Sequence, residues 1–145
     1  MALSKVDVRP GISILAVLRH LNYKPWFAIG EFVDNALQSF LANPRTNVQK
    51  TLTVDIQIDA TQPARISIKD NAFGISIEDF PRAFKPASIP PDNTGLSEFG
   101  MGMKSAACWF SPKWEVRTSV IGEPIIRTIY FDIDNMIADD AYEID

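Results

Sequence analysis

The sequence has very few of the residues that build disulfide-bonded or zinc-stabilised domains. Its 145 residues include a single cysteine, Cys108, and a single histidine, His20. One cysteine cannot form an intramolecular disulfide, and one histidine so far from it in sequence does not complete a zinc site. The fold must therefore be held by an ordinary hydrophobic core, which a chain of this length is able to bury.

Long hydrophobic runs are also missing. The apolar stretch 12–18 is too short to cross a bilayer and no signal-peptide cleavage pattern follows it, so we expect a cytoplasmic protein with no membrane partner. Apolar residues make up 46% and charged residues 22%, which is a globular composition. The net charge of −4 argues against binding nucleic acid through bulk positive charge and leaves a local basic patch open.

The spacing of apolar residues predicts groups of helices and strands in one domain, 1–145. Steps of three and four predict helices over 12–21, 25–42, 77–83 and 103–110. Alternation predicts strands over 51–58, 65–69, 114–120 and 125–131. A proline-rich loop precedes residue 100, and a long loop of this kind often forms a lid. We predict an α+β fold, a two-layer α/β sandwich with helices on one face of a mostly antiparallel sheet of at least four strands.

The second predicted helix carries a carboxylate and a carboxamide one turn apart. Its large apolar residues form one stripe: Trp26, Ile29, Val33, Leu37 and Phe40. Glu31 and Asn35 lie off this stripe on a second face, beside the small Ala28. Such a pair is suited to holding a hydrated metal ion and orienting a water. Taken alone, a solvated helix face is the more common explanation.

A second candidate site follows the strand 65–69. The strand leads into Asp70 and Asn71, and Gly74 comes soon after, so a carboxylate lies at a sheet edge beside a backbone that a flat ligand can approach. An ionised carboxylate only accepts hydrogen bonds, which would favour the exocyclic amine of adenine over the carbonyl of guanine. Taken alone, an ordinary Asx-type turn is the preferred alternative.

The third candidate site is a glycine-rich stretch that runs into the helix 103–110. Gly95, Gly100 and Gly102 would leave backbone N–H groups exposed at a helix N-terminus, where phosphate oxygens bind, and Lys104 adds a positive charge. The spacing matches neither a Walker loop nor the dinucleotide-binding fingerprint. Taken alone, a flexible surface loop is an equally good explanation.

In this order, the three stretches together resemble the GHKL ATPase superfamily, which includes DNA gyrase, ninety-kilodalton heat-shock chaperones, sensor histidine kinases and MutL mismatch-repair proteins. Residues 31–40 and 99–105 are most similar to the microrchidia (MORC-type) branch. The resemblance spans residues 12–131 and implies the Bergerat ATP-binding fold, with ATP and Mg²⁺ as ligands.

The resemblance implies a role for each motif. Glu31 would be the general base that positions the attacking water, Asn35 would coordinate Mg²⁺, and Asp34 would support them. Asp70 would recognise adenine, helped by Thr128 on the last predicted strand. The remaining nucleotide-binding residues implied by the resemblance are Asn71 and Gly74 in the pocket, and Gly100, Met101, Gly102, Met103 and Lys104 around the phosphates.

The sequence departs from the family pattern at one position. Where the adenine motif usually has the form Asp-x-Gly-x-Gly, this chain has Ala72 in place of the first glycine. If that position needs a positive φ, alanine there costs about 1 kcal/mol and weakens nucleotide binding.

The implied function is slow, Mg²⁺-dependent ATP hydrolysis, with lid closure that drives dimerisation or domain movement. Histidine kinases carry Asn where this chain has Glu31, so Glu31 favours hydrolysis. We expect the N-terminal part of a longer protein, an ATP-dependent homodimer, and a downstream domain that supplies a catalytic Lys or Arg. The alternatives are an ATP sensor without turnover, a histidine-kinase-like phosphotransferase, and an interaction domain that binds no nucleotide.

Overall fold

Helices and antiparallel strands alternate in groups along the chain, as the apolar spacing predicts. The computed structural model describes residues 11–44, 46, 50–85 and 101–139. The described elements, in chain order, are α1 (Ser13–Leu18), α2 (Pro25–Ala42), β1 (Val54–Asp59), β2 (Arg65–Asp70), α3 (Phe80–Phe84), α4 (Gly102–Phe110), β3 (Lys113–Thr118), β4 (Arg127–Asp132) and α5 (Ile133–Ala138).

One helix, α5, is absent from the sequence-based prediction. It begins directly after β4, where the Asp132 carboxylate accepts hydrogen bonds from the Asn135 backbone N–H at 3.3 Å and from its side-chain amide at 3.0 Å. This is an N-cap, which satisfies a helix-end donor that has no partner within the helix. The other predicted elements are present with shifted ends; α1 ends at Leu18, and β1 begins at Val54.

The strands pair as two separate hairpins. Strand β1 pairs with β2 and β3 pairs with β4, both antiparallel, with Ile56 opposite Ile68 in the first hairpin and Trp114 opposite Phe131 in the second. Within the described residues this differs from the expected single sheet of at least four strands. Alternation in a sequence identifies a strand and its two faces, but it does not identify which edges pair.

The core lies between the inward face of β4 and four of the helices. Its buried residues come from α1, α3, α4, β4 and α5: Leu15, Phe84, Cys108, Ile129, Phe131 and Ile133. Trp114 of β3 stacks on Phe131 with ring centroids 3.9 Å apart and planes 10° apart. Cys108 is thus a core residue, as expected.

The β1–β2 hairpin leaves apolar side chains on its surface. Ile56 and Ile66 are partly exposed and Ile58 is 68% exposed. These residues share one face of the hairpin, because Ile58 lies opposite Ile66 and two residues from Ile56.

The buried side of α2 is not the predicted apolar stripe. Ala28 is fully buried and Ala36 nearly so, whereas Trp26 at the start of the stripe is 63% exposed. Helix α2 packs against α4, whose buried residues include the small Ala106 and Ala107. Small side chains on both helices allow the backbones to approach closely, so α2 turns its Ala28 and Ala36 side inward.

In the described part of the chain, none of the helices has both the length and the apolar character needed to span a bilayer.

The close approach of α2 and α4 makes Ala28 sensitive to added volume. We expect Ala28→Leu to lower the free energy of unfolding by about 1–3 kcal/mol, because the extra methyl groups must displace α4. The matched control, Ala42→Leu at the exposed end of α2, should change it by less than about 0.5 kcal/mol. Urea unfolding of both variants measures the difference, and equal unfolding midpoints would contradict close packing at Ala28.

Candidate functional site

The side chain of Glu31 on α2 lies directly against Gly102, the first residue of α4. A Cβ placed on Gly102 would lie 3.0 Å from Glu31 Cδ and would overlap Oε2. Any larger residue at position 102 would therefore collide with the Glu31 carboxylate or force it to move. The fold thus brings the first and third candidate sites of the sequence together.

The surroundings of Glu31 favour its protonated form. Burial raises the pKa of the Glu31 carboxyl, and the nearby negative charge of Asp34 acts in the same direction. A carboxylate with a raised pKa is a better proton acceptor near neutral pH. Glu31 is therefore suited to general-base chemistry.

Tyr23 lies near Glu31 and is hydrogen-bonded to Ser105, and neither residue is among the predicted site residues. Burial raises the pKa of the Tyr23 hydroxyl, the negative charge of Glu31 raises it further, and a hydrogen bond with Ser105 lowers it. Ser105 is a buried residue of α4, three positions after Gly102. Tyr23 precedes α2 and Ser105 lies one turn into α4. The sequence does not reveal that they are close, because their proximity depends on the packing of the two helices.

Asp34 and Asn35 follow Glu31 on α2, and both are half-buried. Asn35 comes one helical turn after Glu31, so the two side chains point to the same side of the helix. The predicted neighbourhood of Glu31 and Asn35 is therefore preserved in the fold.

The second candidate site begins with an Asx turn. Asp70 Oδ1 accepts a hydrogen bond from the Ala72 N–H at 2.9 Å. Asn71 binds the chain before β1, since its Oδ1 accepts from the Thr53 N–H at 2.8 Å and its Nδ2 donates to the Thr51 carbonyl at 3.1 Å. The Asn71 side chain therefore fixes the end of the hairpin from which Asp70 projects.

The segment after Asp70 is anchored to the end of β3 through Gly74. This glycine has φ +90°, and a Cβ on it would lie 2.8 Å from the Ser119 carbonyl carbon and overlap the carbonyl oxygen. The position therefore requires glycine for two reasons, the left-handed backbone and the close approach.

A threonine that the sequence analysis missed completes this anchor. The Ile75 N–H donates to Thr118 Oγ1 at 2.9 Å, and the Ile121 N–H donates to the Phe73 carbonyl at 3.2 Å. The predicted Thr128 is instead exposed on β4, opposite Arg117. Thr118 shares the inward side of β3 with Trp114 and Val116, and that alternation is the one signal that marks it in the sequence.

Lys104 is committed to contacts within the protein. It is 2% exposed, and its Nζ donates to the carbonyls of Ala83 at 3.0 Å and Lys85 at 2.8 Å. Burial lowers its pKa to about 8, with a further contribution from the positive charge of Arg82. This arrangement differs from the expected one, in which the Lys104 ammonium wraps phosphates.

The other predicted phosphate-site residues are only partly described. Met101 precedes α4 and Met103 packs against the hydrophobic core, while Gly100 lies outside the described residues. The contacts form two groups, Glu31 with Gly102 and the Asp70 segment with Thr118. That both groups line one pocket stays a prediction.

Two open hollows lie elsewhere on the described surface. One, of about 270 Å³, adjoins the end of α2 at Ala42 and Asn43, and the other, of about 370 Å³, lies on the β1–β2 hairpin beside Asp59 and Arg65. Neither of these two hollows is lined by Glu31 or Asp70.

The anchor at Thr118 predicts a difference between two threonines on paired strands. Thr118→Val keeps the shape but leaves the N–H of the half-buried Ile75 without its acceptor, so the free energy of unfolding should fall by about 0.5–1.5 kcal/mol. Thr128→Val changes an exposed side chain and should cost less than about 0.5 kcal/mol. Denaturant titration of both variants provides the comparison, and equal losses would show that the Thr118 hydrogen bond does not hold the segment.

Comparison with known proteins identifies the family. The family model described as histidine kinase-, DNA gyrase B-, and HSP90-like ATPase matches residues 23–145. Among curated proteins and solved structures, none is significantly similar to the chain. The matched range contains Glu31, the hairpin that leads to Asp70, and Gly102. Domains of this family bind ATP, typically with Mg²⁺, and are typically ATPases. The chain belongs to the histidine kinase-, DNA gyrase B- and HSP90-like (GHKL) family of ATP-binding domains.

Proposed function

We propose that this domain binds ATP with Mg²⁺ and hydrolyses it, with Glu31 as the general base. The observation that supports the proposal is the contact between the Glu31 carboxylate and Gly102 at the start of α4. The N-terminus of a helix offers backbone N–H groups and a partial positive charge to phosphate oxygens. A proton acceptor and a phosphate-binding backbone are therefore adjacent.

In this proposal Glu31 acts on the water that attacks the γ-phosphorus. The carboxylate accepts a proton from the water as the new P–O bond forms, and the bond to the β–γ bridging oxygen breaks, which releases ADP and phosphate. The raised pKa of Glu31 matches this task better than the pKa of a fully solvated glutamate.

The residues near Glu31 fit a magnesium ion. Mg²⁺ prefers oxygen ligands and keeps several waters, and it commonly takes only one or two ligands from the protein and others from phosphates. Asn35 offers a carboxamide oxygen one turn from Glu31, with Asp34 beside it. When bound, Mg²⁺ would offset the negative charge of the phosphates, and Asn35 would hold it.

We further propose that Asp70 selects adenine by accepting a hydrogen bond from its exocyclic amine. The Asn71 contacts with the chain before β1, and the hydrogen bond from the Ile75 N–H to Thr118, would keep Asp70 in a fixed position. Thr118 would act on the backbone of this segment, and the adenine contact of Thr128 stays a prediction. Gly100, Met101, Gly102 and Met103 remain the proposed phosphate-binding segment.

The wider roles are proposals of the same kind. Residues 31–40 and 99–105 support placement in the MORC-type branch. We also propose that the helices are layered on one face of an antiparallel sheet and that the protein is cytoplasmic. Lid closure on ATP would drive dimerisation or domain movement, and a downstream domain would supply a catalytic Lys or Arg. The second candidate function is ATP sensing without turnover, which is favoured by the buried Ala72 in place of the first motif glycine.

The general-base role predicts that Glu31→Gln separates binding from hydrolysis. We expect single-turnover hydrolysis of ATP to fall by about 10²-fold or more, because glutamine cannot accept the proton, while ATP binding is retained. In the unaltered protein the rate should fall as the pH drops through the raised pKa of Glu31, since only the ionised carboxylate is a base. Glu115→Gln, on the exposed side of β3, is the matched control. Equal measurable rates for Glu31→Gln and the unaltered protein would remove Glu31 as the general base, and ATP binding without hydrolysis in the unaltered protein would favour the ATP sensor.

The adenine contact predicts a change of base preference in Asp70→Asn. The asparagine amide can donate to the guanine carbonyl, so the ratio of ATP to GTP affinity should fall by about tenfold or more. Asp55→Asn, an exposed carboxylate on β1, should leave the ratio unchanged. Calorimetry with non-hydrolysable ATP and GTP analogues and Mg²⁺ measures both affinities. An unaltered ratio in Asp70→Asn would remove Asp70 from the adenine site.

A further inference from the structure

The burial of Lys104 is unusual for a lysine and has a specific cause. Lysine is rarely fully buried unless its ammonium is paired. Here its Nζ donates to the carbonyls of Ala83 and Lys85, at the C-terminal end of α3. The last carbonyls of a helix have no partner within the helix, and a lysine side chain that binds them satisfies these acceptors and opposes the negative end of the helix dipole.

Helix α3 depends on contacts with the rest of the domain. It has five residues; the Ala83 N–H donates to the carbonyl of the N-cap residue Asp79 at 2.8 Å, and the Lys85 N–H closes the C-terminal end on the Pro81 carbonyl at 3.1 Å. A single helical turn is not stable in isolation. Phe80, Ala83 and Phe84 pack in the core, and Lys104 from α4 binds the C-terminal end of the helix.

We propose that Lys104 is a positioning residue that fastens the C-terminal end of α3 to α4, and that it does not contact phosphate. The bond joins the two helices that flank residues 86–100 in the sequence. Its consequence for nucleotide binding rests on the proposed function, because α4 also carries Gly102 against Glu31. The bond itself is independent of that function.

The energetics disfavour moving Lys104 to a phosphate. If Nζ left its site, the carbonyls of the half-buried Ala83 and the exposed Lys85 would both lose a charge-assisted donor. Arg82, which also lies near Lys104, is paired with Asp79 at 2.7 Å and is therefore already engaged. The pKa of about 8 agrees with a buried ammonium, and because it lies below the ordinary 10.5, the protein should become more stable as the pH rises between these values.

The test is Lys104→Met, which keeps a long apolar side chain without the ammonium. Amide hydrogen exchange at Ala83 and Lys85 should become about tenfold faster or more, because the end of α3 is no longer held. Lys85→Met is the matched control, since it removes a nearby exposed lysine but keeps the Lys85 carbonyl that accepts from Lys104. This measurement needs no nucleotide, so it tests the bond even if the domain binds none.

Calorimetry with adenosine, ADP and a non-hydrolysable ATP analogue, with Mg²⁺, then distinguishes positioning from phosphate contact. Positioning predicts that Lys104→Met lowers all three affinities by the same factor. Unchanged exchange at Ala83 and Lys85, or a loss of affinity that grows with the number of phosphates, would overturn the proposal. If the unaltered protein bound none of the three ligands, the proposed function would fail, and exchange alone would decide the role of Lys104.

Discussion

The close packing of α2 against α4 is the contact on which the candidate site depends. Ala28 and Ala36 on one helix, and Ala106 and Ala107 on the other, keep the two backbones near each other. That proximity places the Glu31 carboxylate where a side chain on Gly102 would begin, with Tyr23 near the carboxylate and Ser105 hydrogen-bonded to Tyr23. A larger residue at these positions would separate the proton acceptor from the helix terminus, so small residues here serve both packing and chemistry.

The local structure was largely predictable because apolar spacing reflects which side of an element is buried. Spacing predicted the existence and type of nearly every described element, and Glu31 and Asn35 were placed on one side of a helix. The inward side of α2 was not predicted, because hydrophobic periodicity favours bulky residues such as Trp26. Which side of α2 is buried depends on the surface of α4 that packs against it. The sequence of α2 alone therefore does not reveal that side.

Long-range contacts set the limit on predicting the site. Thr118 supports the Asp70 segment only because β3 ends beside Gly74, and the two positions are far apart in sequence. The direction of the Lys104 side chain also depends on long-range contacts. A lysine after a glycine-rich stretch suggests a phosphate ligand, but in the fold its ammonium binds the end of α3. The family resemblance supplied the motifs, and tertiary packing decided which neighbouring residue supports each one.

The isoleucine face of the β1–β2 hairpin has a consequence for handling the purified domain. Ile56, Ile58 and Ile66 present adjoining apolar surface to water. Burial of such surface between molecules becomes more favourable in sulfate and less favourable on cooling. Copies of the domain should therefore self-associate in ammonium sulfate and on warming. Low-salt buffers near 4 °C, about the temperature of a cold room, would keep this face solvated.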